Sequence, residues 1–505
     1  MKSKIIDLEK LPSIVEALKK EGKKVALCHG CFDLLHLGHI KHFEAAKQIA
    51  DVVIVTITPD IYVNKGPGRP IFNEMLRMRA IEALENVDYV ALNKWKNAIE
   101  TIQLIKPNFY VKGKDYKNCQ DEENRSISLE KKAINDVGGE FIITEEMQFS
   151  SSSIINSYFS PLSEPVLSFI KTFKEKYSEE DIIKDIEELR KLKILVIGDV
   201  IIDEYHYCNP LGKSTKFPTL SSIYLKEDNY AGGSLAVANH LAQFAGKVEL
   251  ITCLGEKDSK IDFIESKLSP DIKRKFFYRA DGPTPVKRRY IDTHLNNKIF
   301  EITFVNNSHI DKSLENDIIN YLKNAAKDYD LIMVTDFGHG LITPEIIKCL
   351  EISGKYLAVN AQTNSNNYGF NHITKYKHAS YISIDENELR LPFGDNQGKI
   401  DSLIRRLQEI TNADTINITR GQKGSVIYKD NIMIETPAFS SNIKDSLGAG
   451  DAVLSITSLC AYQNVNIEKI AFIGNCIGAM AIEIIGNEHP VYKKDLIRFI
   501  KHFLK

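Results

Sequence analysis

The sequence has one tryptophan and eight cysteines in 505 residues. The cysteines (Cys28, Cys31, Cys119, Cys208, Cys253, Cys349, Cys460 and Cys476) are scattered. A chain this long needs no staples, and their spacing gives no disulfide framework. No uninterrupted apolar stretch of about 18 residues occurs, so no transmembrane helix is expected. The start, MKSKIIDLEKLPSIVEALKKEGKK, is charged and lacks an apolar h-region, so it does not read as a secretory signal. The expected compartment is the cytoplasm. A surplus of either charge is also missing, with 65 Lys+Arg against 67 Asp+Glu. Sequence-independent binding to nucleic acid needs a basic excess, so neither a nucleic-acid nor a membrane partner is expected. That balance leaves room for a local basic pocket that binds phosphates. No internal repeat and no low-complexity segment is present. What remains, 43% hydrophobic and 26% charged, is ordinary globular protein. Its length suggests about two to four domains.

Apolar strands alternate with helical stretches. Residues 24–27, 52–57, 89–92 and 109–112 read as strands, with helical sequence at 40–49 and 74–84. Such alternation implies parallel pairing and an α/β sheet. Pro161 and Pro165 interrupt the pattern. Charged, amphipathic helical sequence follows to about 193, which reads as a helical connector. A second α/β unit carries strands at 194–197, 248–254, 331–334, 356–359, 379–384 and 415–419. Polar–apolar alternation at 204–230 and 285–304 reads as antiparallel strands outside the main sheet, in a lid. The expected domains are 1–160, a connector at 161–191, and 192–505.

The strongest N-terminal feature is HGCFDLLHLGH, residues 29–39, which follows a strand and opens a helix. Gly30 permits a tight turn, and Gly38 permits close approach of backbone to a ligand. His36 and His39 are three apart and face one side of a first helical turn. A helix N-terminus offers partial positive charge and free N–H groups to a phosphate. Two imidazoles there can donate to a phosphate whose charge grows during displacement, and one such donor is worth roughly 3–4 kcal/mol. Cys28-His29-Gly30-Cys31 invites a metal reading, but Cys28 ends an apolar strand and no second ligand pair lies nearby.

These residues resemble the HxGH nucleotidyltransferases, through His36-Leu37-Gly38-His39. The resemblance spans about residues 20–158. Lys65 and Arg69, in KGPGRP, stand where that family has basic residues that meet nucleotide phosphates. VKGKDY, residues 111–116, resembles the matching segment of heptose-1-phosphate adenylyltransferases. FSSSSII, residues 149–155, resembles a Ser/Thr-rich helix start suited to β- and γ-phosphates, although such hydroxyls are also ordinary N-caps. The resemblance implies a Rossmann-like domain in which a substrate phosphate attacks the α-phosphorus of a nucleoside triphosphate and pyrophosphate leaves. It implies catalytic roles for His36, His39 and Lys65. It implies nucleotide or phosphate contacts at Gly30, Phe32, Asp33, Arg69, Lys112, Asp115, Ser151, Ser152 and Ser153. Arg77 reads either as a site residue or as half of a surface ion pair.

Near the C-terminus stands DSLGAGDAV, residues 445–453. Gly448-Ala449-Gly450 opens an apolar helix, and its N–H groups can form an anion hole. Asp451, beside it, can take a proton from a substrate hydroxyl while the hole holds the transferring phosphoryl group. A bare GAGD also serves as a simple capping turn. The surrounding sequence resembles the ribokinase-like (PfkB) carbohydrate kinases from about Leu192 to Lys505. Asp203 in IGDVIIDEY, Gly232-Gly233 with Asn239, and Lys287 in TPVKRRY match sugar-side elements of that family. Thr419-Arg420-Gly421 with Gly424 match its nucleotide turn, Asp451 its base, and Asp385 and Glu388 its Asn-x-x-Glu metal support.

The resemblance is closest to the kinase half of bifunctional heptose-7-phosphate kinase/heptose-1-phosphate adenylyltransferases, in which the kinase comes first. Here the order is reversed. There are departures. Asp385 stands for Asn, and VNAQTNSNNYGFN, residues 359–371, replaces an Asp-Pro-Lys-Gly turn without its lysine. HLNNKIFEITF replaces the segment with the family's glutamines and Arg-x-Asp, and Ser446-Leu447 replaces two threonines. The resemblances imply Mg²⁺, ATP as phosphoryl donor, ATP or CTP as nucleotidyl donor, sugar or sugar-phosphate substrates and a homodimer. Two alternatives stay open. One is cytidylyl transfer to a polyol or aminoalcohol phosphate. The other is a C-terminal half that senses sugar without phosphorylating it.

Overall fold

The computed structural model describes residues 3–63, 69–113, 122–144, 162–295, 297–440 and 443–504. It divides into two compact units, Met1–Ser163 and Glu164–Leu504.

In the first unit, β1 (Val25–Gly30), β2 (Val52–Ile57), β3 (Tyr89–Leu92), β4 (Phe109–Gly113) and β5 (Glu140–Thr144) form a sheet ordered β3-β2-β1-β4-β5. All its pairings are parallel. Val25 and Leu27 enter one core and Ala26 and Cys28 the other, so both faces of β1 are covered. This is why VALC reads as a continuous apolar run, not an alternating one. Strand order reverses between β1 and β4, and a ligand crevice opens outside the carboxyl ends at such a switch point. The HxGH segment leaves the end of β1 there. The sequence pattern did not place β5.

The second unit has a nine-stranded sheet ordered β10-β9-β6-β13-β14-β15-β16-β17-β18. Its parallel strands are β6 (Lys193–Gly198), β9 (Lys247–Gly255), β10 (Ile272–Arg279), β13 (Leu331–Asp336), β14 (Tyr356–Ala361), β15 (Tyr381–Asp385) and β16 (Thr415–Thr419). β17 (Ser425–Lys429) and β18 (Ile432–Thr436) add antiparallel at one edge. They are joined by Asp430-Asn431, both at positive φ, the residue types a two-residue hairpin turn favours. The switch point lies between β6 and β13.

A second sheet, ordered β12-β11-β7-β8, is built from β7 (Val200–Lys213), β8 (Leu220–Gly233), β11 (Val286–Asp292) and β12 (Asn297–Phe304). It occupies the stretches expected to form a lid, but one pairing differs from the expectation. β7 and β11 run parallel. The two strands follow the carboxyl ends of parallel strands, β6 and β10, and so leave one edge of the main sheet in the same direction.

The stretch read as a connector is, from Glu164, part of the second unit. Its helices are Glu164–Lys174 and Glu179–Glu188, the latter started by a Ser178/Asp181 capping box. Phe173 stacks on Phe472 at 4.4 Å, and Lys176 pairs with Glu468 and Lys469 with Asp185. No helix among the described residues is long and apolar enough to cross a membrane.

Candidate active sites

At the end of β1 the chain turns through Phe32 at φ 50° and enters the helix Leu37–Ile49. His36 is its N-cap, with Nδ1 accepting from the Gly38 N–H at 3.0 Å. The His36 and His39 rings stack at 3.9 Å, and the Phe32 ring stands nearly perpendicular to His39. Both imidazoles therefore lie at the positive end of the helix. Asp33 is buried and accepts from the Ile71 and Phe72 N–H groups, both at 3.0 Å. It also lies 3.6 Å from the Arg69 guanidinium, which is almost wholly buried. Burial holds the Arg69 pKa below its ordinary value, against the pull of Asp33. Asp33 thus anchors the loop that carries Arg69.

Lys112 is engaged differently from a displayed phosphate ligand. Its ammonium donates to the His29 carbonyl at 3.1 Å and lies 3.7 Å from Glu130, below the surface. Burial and the Lys112 charge push His29 down to about 3 and His42 to about 4, so both imidazoles are neutral. Arg77 does not form the surface ion pair weighed from the sequence. Its side chain is fully buried and donates to the Phe72 and Thr58 carbonyls at 2.9 Å, while pairing with Asp60. It fastens the end of β2 to the helix Glu74–Glu82. Lys65, Asp115, Ser151, Ser152 and Ser153 lie outside the described residues.

In the second unit a cavity of about 340 Å³ lies against the start of the helix Ala449–Tyr462. Gly448 caps that helix at φ 78°, and a Cβ there would come within 2.0 Å of the Asn487 amide. Only glycine fits both conditions. Gly448, Ala449, Gly450 and Asp451 line the cavity together with Thr419, Gly421 and Gly424. A Cβ at Gly424 would meet the Thr436 carbonyl oxygen at 1.9 Å. Asp451 is half-buried at the cavity wall, and desolvation, then the nearby charge of Asp203, pushes it up to about 7 while Lys287 opposes. A carboxylate poised near neutral pH suits a general base.

Asp203 pairs with Arg289, which also holds Glu301 at 2.8 Å. The Asp203 carboxylate lies against Gly232, where a Cβ would be 2.2 Å from Oδ2. Lys287 is buried and lowered by desolvation, with Asp203, Glu301 and Asp451 opposing that shift. On the other wall, Asp385 and Glu388 form a reciprocal capping box with bonds of 2.8 and 2.9 Å. Burial and the Asp385 charge raise Glu388 to about 8.

The family model for pfkB family carbohydrate kinases matches residues 191–493, well over half of the chain. The chain belongs to this family. A second family model, described as cytidylyltransferase-like, matches residues 27–157. The chain is similar to the bifunctional protein HldE of Campylobacter jejuni, 27% identical over 301 residues that make up 59% of this chain and 62% of that protein. It is similar to the HldE of Desulfatibacillum aliphaticivorans at 35% over 155 residues, 30% of each chain. To the HldE of Nitratiruptor sp. it is 39% identical over 137 residues, 27% of this chain and 29% of that one. These matches span less than two thirds of the relatives' own length. Among solved structures, phosphofructokinase-2 from Escherichia coli with substrates and products shares the fold, with a TM-score of 0.50 at 14% identity. That likeness covers 62% of this chain and all of that one.

The pfkB unit brings Asp203, Lys287 and Asp451 within electrostatic reach of one another, with Gly232 against the Asp203 carboxylate, and sets Thr419, Gly421, Gly424, Asp385 and Glu388 around the cavity. Gly233, at φ 58°, starts the helix Ser234–Ala242, and a Cβ there would press on the Asp199 carbonyl oxygen. Two expected residues are used otherwise. The Asn239 amide donates to the Lys267 carbonyl and accepts from the Ser269 N–H, bridging to the end of the helix Ile261–Lys267. The Arg420 guanidinium is committed to Glu386 and Glu435.

Asn360 was not found from the sequence. It lines the pfkB cavity, donates to the Ser383 carbonyl, and keeps a buried Oδ1 without a protein partner. Only its place at the end of β14, in the segment that lacks the expected lysine, pointed towards it. Oxygen donors at Asn360, Asp385 and Glu388 fit a hard cation such as Mg²⁺. Among the described residues no three His, Cys, Asp or Glu side chains form a metal cluster by themselves. The fit is therefore to an ion carried in with nucleotide phosphates.

Proposed function

We propose that the chain is a bifunctional enzyme of nucleotide-activated sugar biosynthesis acting on a heptose-like sugar. The pfkB unit phosphorylates a sugar or sugar phosphate with ATP. The first unit transfers a nucleotidyl group, from ATP in the leading reading, to a sugar 1-phosphate. The observation that carries the kinase half is Asp451, half-buried in the cavity wall and poised near neutrality beside the Gly448–Gly450 helix start. It removes the proton from the acceptor hydroxyl as that oxygen attacks the γ-phosphorus and ADP leaves. The helix N–H groups receive the transferring phosphoryl charge. Lys287 stands within electrostatic reach of both Asp203 and Asp451. Mg²⁺, when bound, neutralises phosphate charge, with Asn360, Asp385 and Glu388 as its supporting oxygens.

In the first unit His36 and His39, at the helix start, receive the α-phosphate. The oxygen of the sugar phosphate attacks phosphorus, and the bond to pyrophosphate breaks. The stacked imidazoles at 3.9 Å support this reading. A second reading, cytidylyl transfer, is favoured by the description of the family model that matches this unit. The proposal also includes a homodimer through the lid sheet, in the cytoplasm. The exposed Phe217, Leu220, Ile223, Phe300 and Ile302 on the lid strands and their connecting turn support the pairing.

The test is a screen of the purified full chain against C6 and C7 sugars and their terminal phosphates. ADP formation and pyrophosphate release are both followed, with ATP and CTP compared. Sugar-dependent ADP formation and a nucleotide-sugar product are expected. CTP-only turnover would overturn the adenylyl assignment. ATP left unconsumed with every acceptor would overturn the kinase assignment.

A further inference from the structure

Residues two apart on a strand share one face of a sheet, and so do cross-strand partners. In the lid sheet Asp203 pairs in register with Lys287, and Ile291 with both Tyr207 and Lys298. The face that carries Asp203 and Lys287 therefore also carries Tyr205 and Lys298. Both of these reach the same carboxylate. Tyr205 Oη donates to Asp445 Oδ2 at 2.5 Å, and the Lys298 ammonium donates to Oδ1 at 2.9 Å. Tyr205 is 1% exposed and packs with Tyr230 and Ile291, against which Leu447 of the Asp445 loop also rests. The Lys298 ammonium lies 5.3 Å from the centre of the Tyr205 ring, so the two donors support each other.

Asp445 in turn holds the backbone around Gly448. It accepts from the Leu447 N–H at 3.2 Å, within the turn that leads into the helix Ala449–Tyr462. It also accepts from the Gly486 N–H at 3.1 Å. The next residue, Asn487, is the one whose amide closes on Gly448, and a Cβ at Gly486 would strike the Tyr230 ring. One carboxylate thus fixes both pieces of backbone that meet at the helix start, and two lid side chains fix the carboxylate.

The charge matters as much as the shape. The Asp445 side chain is 5% exposed. Against burial, which resists ionisation, Tyr205 and Lys298 hold its pKa below the ordinary value. A full negative charge therefore sits just ahead of the N–H groups proposed to receive the transferring phosphoryl group. Left alone, it would repel that group at short range. Lys298 is the cation paired with it. This lysine comes from HLNNKIFEITF, where the chain departs from the heptose-kinase pattern.

We propose that Lys298 and Tyr205 are positioning residues for phosphoryl transfer. Through Asp445 they set the helix start at Gly448 against the lid face that carries Asp203 and Lys287. Lys298 also cancels the carboxylate charge that opposes the transferring group. This rests on the kinase reading above and adds to it a dependence of the phosphoryl site on the lid.

The test is steady-state kinetics of sugar-dependent ADP formation by the full chain, with melting curves of each variant. Lys298→Met keeps most of the stem and removes the charge. It should lower kcat roughly tenfold to a hundredfold and change KM for ATP and for the acceptor less than about threefold, because a small misplacement costs transfer more than ground-state binding. Lys298→Arg, which keeps the charge, should retain most of the activity. Asp445→Asn added to Lys298→Met removes the unpaired charge and should recover about half of the loss on a logarithmic scale. Tyr205→Phe should lower kcat about threefold to tenfold. Should Lys298→Met be unfolded at the assay temperature, Lys298→Gln replaces it, with the same loss and recovery expected. Unchanged kcat in both the lysine and the tyrosine variants would overturn this proposal and leave the kinase reading standing. So would a loss that appears in KM with kcat intact, or one that Asp445→Asn leaves unchanged or deepens. No sugar-dependent ADP formation by the unaltered chain with any acceptor would overturn the kinase reading and this proposal with it.

Discussion

Asp451, the proposed base, is a carboxylate held where desolvation resists the loss of its proton. Its pKa of about 7 gives a sign to the pH dependence. Phosphoryl transfer should fall about tenfold per pH unit below neutrality and level off above it, in a pH–rate profile of kcat/KM. Asp451→Asn should lower kcat by roughly 10²–10⁴-fold with little change in nucleotide KM. Asp199 makes a separate prediction. Burial, then the Asp336 charge, raises it from 3.8 to about 7. Its contribution to stability is therefore present below about pH 4 and is lost as pH rises through about 7, because the unfolded state ionises first. Melting curves of Asp199→Asn, whose amide oxygen can still accept from the Phe337 and His339 N–H groups, should gain on the parent between pH 5 and pH 9. A gain of equal size at both pH values would contradict this assignment.

At the scale of elements, two helix starts do the work, and each depends on one cap. His36 caps the first with its own ring, and Gly448 caps the second by a left-handed turn. Gly448→Ala would meet both φ 78° and the Asn487 amide at 2.0 Å. A Cβ in the left-handed region costs about 1 kcal/mol or more before the clash is counted. A large loss of phosphotransfer with a small shift in melting temperature is expected, since the displaced atoms are the N–H groups proposed to form the anion hole. The lid is fastened to the same loop. Asp445, just ahead of Gly448, accepts from Tyr205 Oη at 2.5 Å and pairs with Lys298 at 2.9 Å. Much of this level was legible in the sequence. The strands of the first sheet up to β4 and the parallel strands β6, β9 and β13 to β16 follow from apolar runs buried on both faces. β5, β10 and the β17–β18 hairpin were not read. β5, β10 and β18 take edge positions, whereas β17 lies between β16 and β18 and buries four of its five residues. β5 and β10 bury only part of their residues and β18 one of five, so the apolar run that marks a central strand is diluted.

At the scale of the whole molecule, the chain divides into two compact units, and one of the two proposed chemistries falls in each. Mutations should therefore sort cleanly. His39→Ala should reduce pyrophosphate release by about 10²–10³-fold and leave sugar-dependent ADP formation intact. Asp451→Asn should do the reverse. A coupled loss of both activities in either variant would contradict independent sites.

The sequence by itself determined the class of each unit and the positions of the glycine-bearing turns proposed to face phosphate. These depend on local requirements: glycine where backbone must turn or approach, an acceptor side chain at a helix start, apolar runs where both faces are covered. Tertiary structure alone decided which charged residues are available. Lys112, Arg77, Arg420 and Asn239 look alike on paper as site residues, and the fold commits each to a partner distant in sequence. It also decided that Asp451, Asp203 and Lys287 come within electrostatic reach of one another, and that Asn360 keeps an unpartnered atom. Burial and partner geometry are properties of chain segments that the fold brings together, and no local pattern records them.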